Sequence, residues 1–130
     1  MTKKEHIAYW LTNAERDWKR AERCFSDRDY VFCLFCAHLS LEKICKAAWV
    51  KHNESNFPPR IHNLVRILEN LPVEMNEKDL VFLNDMNKFQ LEGRYPEYNQ
   101  MIYKICTEEF TKEMKQKAEK IKIWLTEKLQ

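Results

Sequence analysis

Glycine occurs only once among the 130 residues of this chain, at Gly93. Loops that cradle phosphates with backbone N–H groups need several glycines, because side chains would block the close approach of the ligand. Two-residue hairpins also depend on glycine, in pairs such as Asn-Gly or Asp-Gly. The chain therefore contains neither a P-loop nor a dinucleotide-binding glycine motif, and its sequence disfavours a fold rich in β-hairpins.

Long segments rich in Leu, Lys, Glu, Ala and Met separate this glycine from the four prolines, and these residue types favour helices. Hydrophobic residues make up 45% of the chain and charged residues 32%, which is typical of a globular protein. The length is that of one domain. We therefore expect a single all-α domain over residues 1–130.

The net charge and the cysteine content indicate which kinds of partner and which cellular compartment to expect. The net charge of +2 does not by itself indicate nucleic-acid binding. No stretch approaches the roughly 20 apolar residues of a membrane span, and the N-terminus has no apolar block of an export signal. Five cysteines, an odd number, then indicate reduced thiols, so we expect a cytoplasmic protein.

The first half of the chain has the periodicity of two long helices. Apolar residues at spacings of three and four predict a first helix from Ile7 to Phe25, ended by a turn at 27–29 that can cap the next helix. Residues 30–50 are apolar on nearly all sides. This pattern predicts a central helix that several neighbours contact.

The second half predicts shorter helices and a long final one. A third helix carries apolar residues from Ile61 to Leu71, and Asn76 is placed to cap a fourth helix that ends at Gly93. The expected apolar face of the fourth helix is Leu80, Leu83, Met86 and Leu91. The stretch from Tyr95 to Cys106 has no clear period.

Thr107, followed by two glutamates, is placed to cap the last helix. The apolar stripe of this helix is expected to be Phe110, Met114, Ala118, Ile121 and Leu125. Long helices joined by short turns pack antiparallel. The sequence therefore predicts an up-and-down helical bundle of four to five antiparallel helices.

A polar stripe interrupts the apolar second helix. His38, Glu42 and Lys46 follow one another at four-residue spacing and therefore share one side of the helix. The stripe can be a solvated edge with a favourable Glu42–Lys46 pair. It can also face a groove or a partner, with Lys43 and Lys46 available to phosphates. The sequence alone leaves both interpretations open.

Two loop segments provide further candidates. His62 lies at the start of the third helix, where it can cap the helix or contact an anion. Gly93 supplies the freedom for a bend directly before Arg94 and Tyr95. Pro96 then extends the backbone, so that the bend can project both side chains. An ordinary helix end with a basic residue near it explains the same residues.

Cys33 and Cys36 form a CxxC pair, which can indicate metal or redox chemistry. A zinc site needs about four converging ligands, and the remaining cysteines are scattered. We expect core or boundary cysteines and no metal. The lysine-rich last helix is balanced by glutamates and lacks interleaved aromatic residues, so we expect a solvated face there and not a nucleic-acid-binding face. No arrangement of catalytic residues or cofactor ligands is distinctive.

In order along the chain, several of these motifs resemble those of the HEPN domain family (higher eukaryotes and prokaryotes nucleotide-binding). The first matching segment is Ala14-Glu15-Arg16-Asp17, and the second is residues 35–47, which contain His38, Glu42, Lys43 and Lys46. The third is His62-Asn63-Leu64, and the fourth is Arg94-Tyr95-Pro96. The resemblance covers nearly the whole chain. It implies a helical bundle, usually a homodimer, and for small stand-alone members a minimal nucleotidyltransferase partner. A similarity to the helical half of kanamycin-type nucleotidyltransferases implies a nucleotide- or substrate-binding role.

Other branches of this family are metal-independent ribonucleases, often toxins, which carry an arginine followed after four to six residues by a histidine. After Arg94 this motif requires a histidine at Asn99, Gln100 or Met101. None occurs there, and the other histidines have no arginine at the required distance before them. The chain therefore departs from the ribonuclease pattern, and the resemblance implies a binding protein without catalytic residues.

The residues expected to bind the ligand are Glu42, Lys43, Lys46, His62, Arg94 and Tyr95. In this hypothesis the cationic side chains contact phosphates, Tyr95 stacks on a base and Glu42 orients the cations. Two alternatives remain: a diverged metal-independent ribonuclease of the toxin–antitoxin kind, and a dimeric interaction module that binds no small molecule.

Overall fold

The computed structural model describes residues 1–90 and 96–130, which form six α-helices. These are α1 (Lys3–Ser26), α2 (Tyr30–His52), α3 (Leu64–Leu68), α4 (Glu77–Met86), α5 (Pro96–Ile105) and α6 (Glu108–Lys128). A short 3-10 turn, Asn87–Phe89, continues α4. No strand occurs in this part of the chain, so the predicted all-α class is confirmed. The added helix, α5, lies in the stretch whose periodicity was unclear.

Side chains cap the N-termini of α1, α2, α3, α4 and α6. Thr2, Asp29, Asn63, Asn76 and Thr107 each accept a hydrogen bond from a backbone N–H in the first turn of the helix that follows. Each cap satisfies a donor that has no partner inside its helix. The predicted caps in the 27–29 turn and before α4 and α6 are therefore confirmed.

The helix α2 is the central one, as its apolar sequence predicts. It contacts α1, α3, α5 and α6, and most of its residues are buried. Ser40 donates a hydrogen bond to the carbonyl of Ala14 at 2.8 Å, halfway along the antiparallel pair α1 and α2. Lys51 reaches the carbonyl of Lys128 at 2.9 Å, so the C-terminal ends of α2 and α6 lie together. The helix α2 is therefore antiparallel to α1 and runs in the same direction as α6 within the helical bundle.

The two short helices differ in detail from the prediction. The regular part of α3 is limited to Leu64–Leu68, so Ile61 and Leu71 lie outside it. In α4 the buried residues are Phe82, Leu83 and Met86. Leu80 is exposed, because α4 is rotated so that Phe82 faces the core in its place. Leu91 lies outside the described residues.

The helix α6 buries four of its predicted residues: Met114, Ala118, Ile121 and Leu125. Phe110 is only partly buried and packs at the edge of the core, while Thr111 is fully buried. Among the helices that the structure describes, none has the length and apolar character needed to cross a membrane.

Candidate functional site

A polar cluster lies inside the bundle on one side of α2. We call it the Glu42 cluster; its members are His38, Glu42, Lys46, His62 and Asn87. The side chains of Glu42 and Lys46 are only 8% and 9% exposed, and His38 is fully buried. The stripe predicted on α2 therefore forms, but it is buried and is not a solvated edge.

Glu42 makes the contacts that join α2 to the loop before α3. Its Oε2 accepts a hydrogen bond from Lys46 Nζ at 3.1 Å, and its Oε1 lies 3.1 Å from His62 Nδ1. An ionised carboxylate only accepts hydrogen bonds, so Nδ1 of His62 is the protonated nitrogen. The ring is 49% exposed. The buried carboxylate of Glu42 thus holds Nδ1 of His62, while the rest of the imidazole ring reaches the surface.

His38 occupies the innermost position of the cluster. Its Nε2 lies 3.3 Å from Asn87 Oδ1, which also accepts a hydrogen bond from the backbone N–H of Leu64 at 2.9 Å. Because Oδ1 is an acceptor, Nε2 of His38 must donate. Its Nδ1 lies 3.8 Å from Glu42 Oε1. Burial lowers the pKa of His38, and the Glu42 carboxylate offsets part of this effect, so the ring favours its neutral form.

Lys46 links the cluster to α1. Its ammonium group lies 5.7 Å from the centre of the Trp10 ring, a cation–π distance, and donates to Glu42. A buried ion pair is often no more stabilising than apolar residues of the same volume, because both charges lose their hydration. The stability of the bundle alone therefore does not explain why the Glu42–Lys46 pair lies in its interior.

Lys43 belongs to a different pair. Its Nζ contacts Oδ2 of Asp17, a residue of α1 that is 1% exposed. Arg20 donates to the other carboxylate oxygen of Asp17 at 3.0 Å. Lys43 is thus a counter-ion of a buried carboxylate between α1 and α2. The structure does not join it to the Glu42 cluster, although the sequence places it next to Glu42.

The loop before α3 positions His62 without using it as a cap. Asn63 caps α3 by accepting a hydrogen bond from the N–H of Arg66 at 3.1 Å, so the alternative role of His62 as a cap is wrong. Of the predicted site residues, the structure brings together Glu42, Lys46 and His62. Arg94 and Tyr95 lie outside the described residues.

Five side chains in these polar contacts are absent from the predicted ligand-binding residues: Trp10, Asp17, Arg20, His38 and Asn87. Asn87 is a polar residue directly after the buried Met86, a position for which helical periodicity predicts nothing specific. Asp17 is charged, and a charged residue on a long helix usually indicates a solvated position. A signal for Asp17 existed in principle, because it follows the buried Ala14 by three residues and so lies on the apolar face of α1.

Four of the five cysteines lie in the core and Cys24 lies at its boundary, as predicted. Cys33, Cys36, Cys45 and Cys106 are buried, and all five thiols are free. Burial raises the pKa of Cys33 and Cys36 to about 12, which keeps both thiols neutral. No group of His, Cys, Asp or Glu side chains within residues 1–90 and 96–130 is arranged to hold a metal ion.

Comparison with known proteins gives one family and one similar solved structure. The family model described as HEPN domain matches residues 7–129. The crystal structure of TT1696 from Thermus thermophilus superposes with a TM-score of 0.77 over 94% of this chain and 97% of that one. The two sequences are 21% identical, so the likeness concerns the fold alone. No curated protein matches the chain.

Proposed function

This chain belongs to the HEPN domain family, and from that premise we propose that it is a binding protein whose Glu42 cluster receives a phosphate-bearing ligand of the nucleotide class. The observation that carries the proposal is the contact between the buried carboxylate of Glu42 and the half-exposed ring of His62. It holds a surface imidazole in one orientation, which is what a binding site requires of a contacting group.

The charges of the cluster suit an anion. Lys46 neutralises the carboxylate of Glu42 from the inner side, so the buried pair carries no net charge. In the proposed complex Glu42 accepts a hydrogen bond from Nδ1 of His62, and a phosphate oxygen accepts one from Nε2, so the ring donates from both nitrogens. A ring that donates from both nitrogens is positive, and its hydrogen bond to phosphate is charge-assisted.

Arg94 and Tyr95 complete the proposed site. A guanidinium binds phosphate oxygens through two parallel N–H groups, and a phenol ring stacks on a nucleobase. Lys43 has a structural role in this proposal, because its ammonium group already neutralises the buried Asp17. The direct ligand contacts are therefore assigned to His62, Arg94 and Tyr95, with Lys46 neutralising Glu42 on the inner side of the cluster.

The wider assignment follows from the family. We propose that residues 1–130 are one domain that forms a homodimer and works with a minimal nucleotidyltransferase in the cytoplasm. The missing Arg-x4–6-His motif favours binding over ribonuclease activity.

Thermal melting with ATP, AMP and pyrophosphate tests the ligand. We expect a saturable rise in Tm for the wild type, because a ligand that binds only the folded state stabilises it. His62→Gln should lose the rise, whereas His52→Gln, an exposed histidine at the end of α2, should keep it. The proposal fails if none of the three compounds raises Tm and no complex forms with a nucleotidyltransferase. Metal-independent RNA cleavage that Arg94→Ala abolishes would establish the ribonuclease instead.

A further inference from the structure

A groove of about 660 Å³ lies between α4 and α6 and shares no residue with the Glu42 cluster. Its apolar floor is formed by Phe82, Met114, Ile121 and Trp124. Val81 also lines the groove and is 55% exposed. The groove is large enough to receive side chains of another molecule.

A second cavity, of about 260 Å³, continues this groove along α6. The two share Trp124, and the second extends to Lys128 at the end of α6 and to Val73 and Glu74 before α4. Met114 and Lys128 stand 14 positions apart on α6. At 1.5 Å per residue this is about 21 Å, the length of a helix of about four turns.

Charges on the two sides of the groove are segregated. The α6 side carries Lys117, Lys120 and Lys128, without an acidic lining residue. The opposite side carries Glu74, Asp79 and Asp85, together with a single cation, Lys78. Lys117 forms an exposed ion pair with Glu113 of the same helix at 3.3 Å. Exposed pairs are weak, so a carboxylate of a partner can take the place of Glu113 at little cost in free energy.

We propose that this groove docks an amphipathic α-helix of a partner protein. The apolar face of the partner helix lies on Phe82, Ile121 and Trp124, its acidic edge faces the lysines of α6 and its basic edge faces the carboxylates beside α4. Helix-in-groove recognition of this kind reads apolar anchors along one face and charges along both edges. Reversing the helix exchanges its edges, so the charge pattern also fixes the direction in which the partner helix lies.

Two fluorescein-labelled helical peptides of about 14 residues test the proposal by anisotropy. Both carry leucines at helical spacing; one has glutamates on one edge and lysines on the other, and the second has lysines on both edges. The mixed peptide should bind the wild type about fivefold more tightly than the lysine peptide. Val81→Asp should weaken the binding of both peptides, because it places a charge in the apolar groove.

The variant Lys117→Glu/Lys120→Glu should reverse the order of the two peptides, because both sides of its groove are then acidic. The matched control Lys4→Glu/Lys112→Glu changes the net charge equally at exposed lysines outside the groove, and it should keep the wild-type order. An unchanged order in the first variant, failure of both peptides to bind the wild type, or unchanged binding to Val81→Asp overturns the proposal. Self-association of the wild type that Val81→Asp abolishes assigns the groove to a second copy, and this too overturns it.

Discussion

Glu42 and His62 stand 20 positions apart in the chain, and their side chains meet at 3.1 Å between α2 and the loop before α3. One partner is buried and the other is half exposed. The contact connects the interior of the bundle to its surface, and Lys46 balances its charge from the inner side. The predictions below follow from this arrangement and from the other buried polar contacts.

Removing the carboxylate of Glu42 should leave the ammonium of Lys46 buried without a counter-ion. Glu42→Leu should therefore lower the free energy of unfolding by about 3 kcal/mol, the usual result of breaking a buried pair. Glu42→Leu/Lys46→Met removes both charges and should recover most of this loss. Urea denaturation of the two single variants and the double variant measures the coupling. Additive effects of the two substitutions would contradict the assigned pair.

Lys43 is expected to matter for stability and not for the ligand. Lys43→Met leaves the buried carboxylate of Asp17 with Arg20 alone, so we expect a loss of about 1–2 kcal/mol in urea denaturation. The affinity for a nucleotide that stabilises the wild type should stay unchanged. A large loss of nucleotide affinity in folded Lys43→Met would show instead that Lys43 contributes to ligand binding.

Acid should destabilise the fold through His38. Its pKa is lowered by burial from the ordinary value of 6.5, so the unfolded chain takes up this proton first as the pH falls. The stabilisation is therefore complete above about pH 6.5 and decreases below it, by up to about 1.4 kcal/mol per pH unit. Urea denaturation at pH 7.5 and 5.5 measures the difference. His38→Gln keeps a donor towards Asn87 and should flatten the profile between these values; an equally steep profile would count against His38.

Alkaline conditions should destabilise the fold through the thiols. Burial raises the pKa of Cys33 and Cys36 from 9.0 to about 12, so the unfolded chain loses these protons first as the pH rises. Stability should be fully present below about pH 9 and decrease above it. Cys33→Ala/Cys36→Ala should show a shallower decrease between pH 8 and 10.5. The same slope in both proteins would assign the effect to other groups.

Thiol exposure gives an independent check of the core. A chromogenic disulfide reagent should react quickly only with Cys24, which is partly exposed, and should reach the other cysteines after unfolding in guanidinium. Cys24→Ser should remove the fast phase. A fast phase that persists in this variant would mean that one of the buried thiols is accessible in the native state.

The fold could be predicted in large part from local patterns. The caps at Asn76 and Thr107 and the apolar character of α2 are properties of neighbouring residues, and each determines a helix end or a degree of burial. The inward face of α4 could not be predicted in the same way. A short helix with apolar residues on several sides can rotate, and its packing in the bundle, where α4 contacts α3, decides that Phe82 rather than Leu80 is buried.

Less of the candidate site than of the fold could be predicted from local patterns. Spacing alone placed His38, Glu42 and Lys46 on one side of α2, but their burial and the contact with His62 depend on how the loop before α3 returns to α2. Neighbouring residues could not reveal that Lys43 faces Asp17, because this contact joins two helices at positions 26 residues apart. Tertiary packing, and not residue type, therefore decides that Lys43 pairs with Asp17 and Lys46 with Glu42.

The most direct test of the central claim is the ¹⁵N NMR spectrum of the histidine rings during a titration with ATP. The Nε2 signal of His62 should move towards that of a protonated nitrogen and saturate as the nucleotide is added, because a bound phosphate favours the ring that donates from this atom. The ring signals of His52, exposed at the end of α2, should stay in place. A His62 signal that does not respond, or that moves together with His52 without saturation, would contradict the assignment of the Glu42 cluster as a phosphate site.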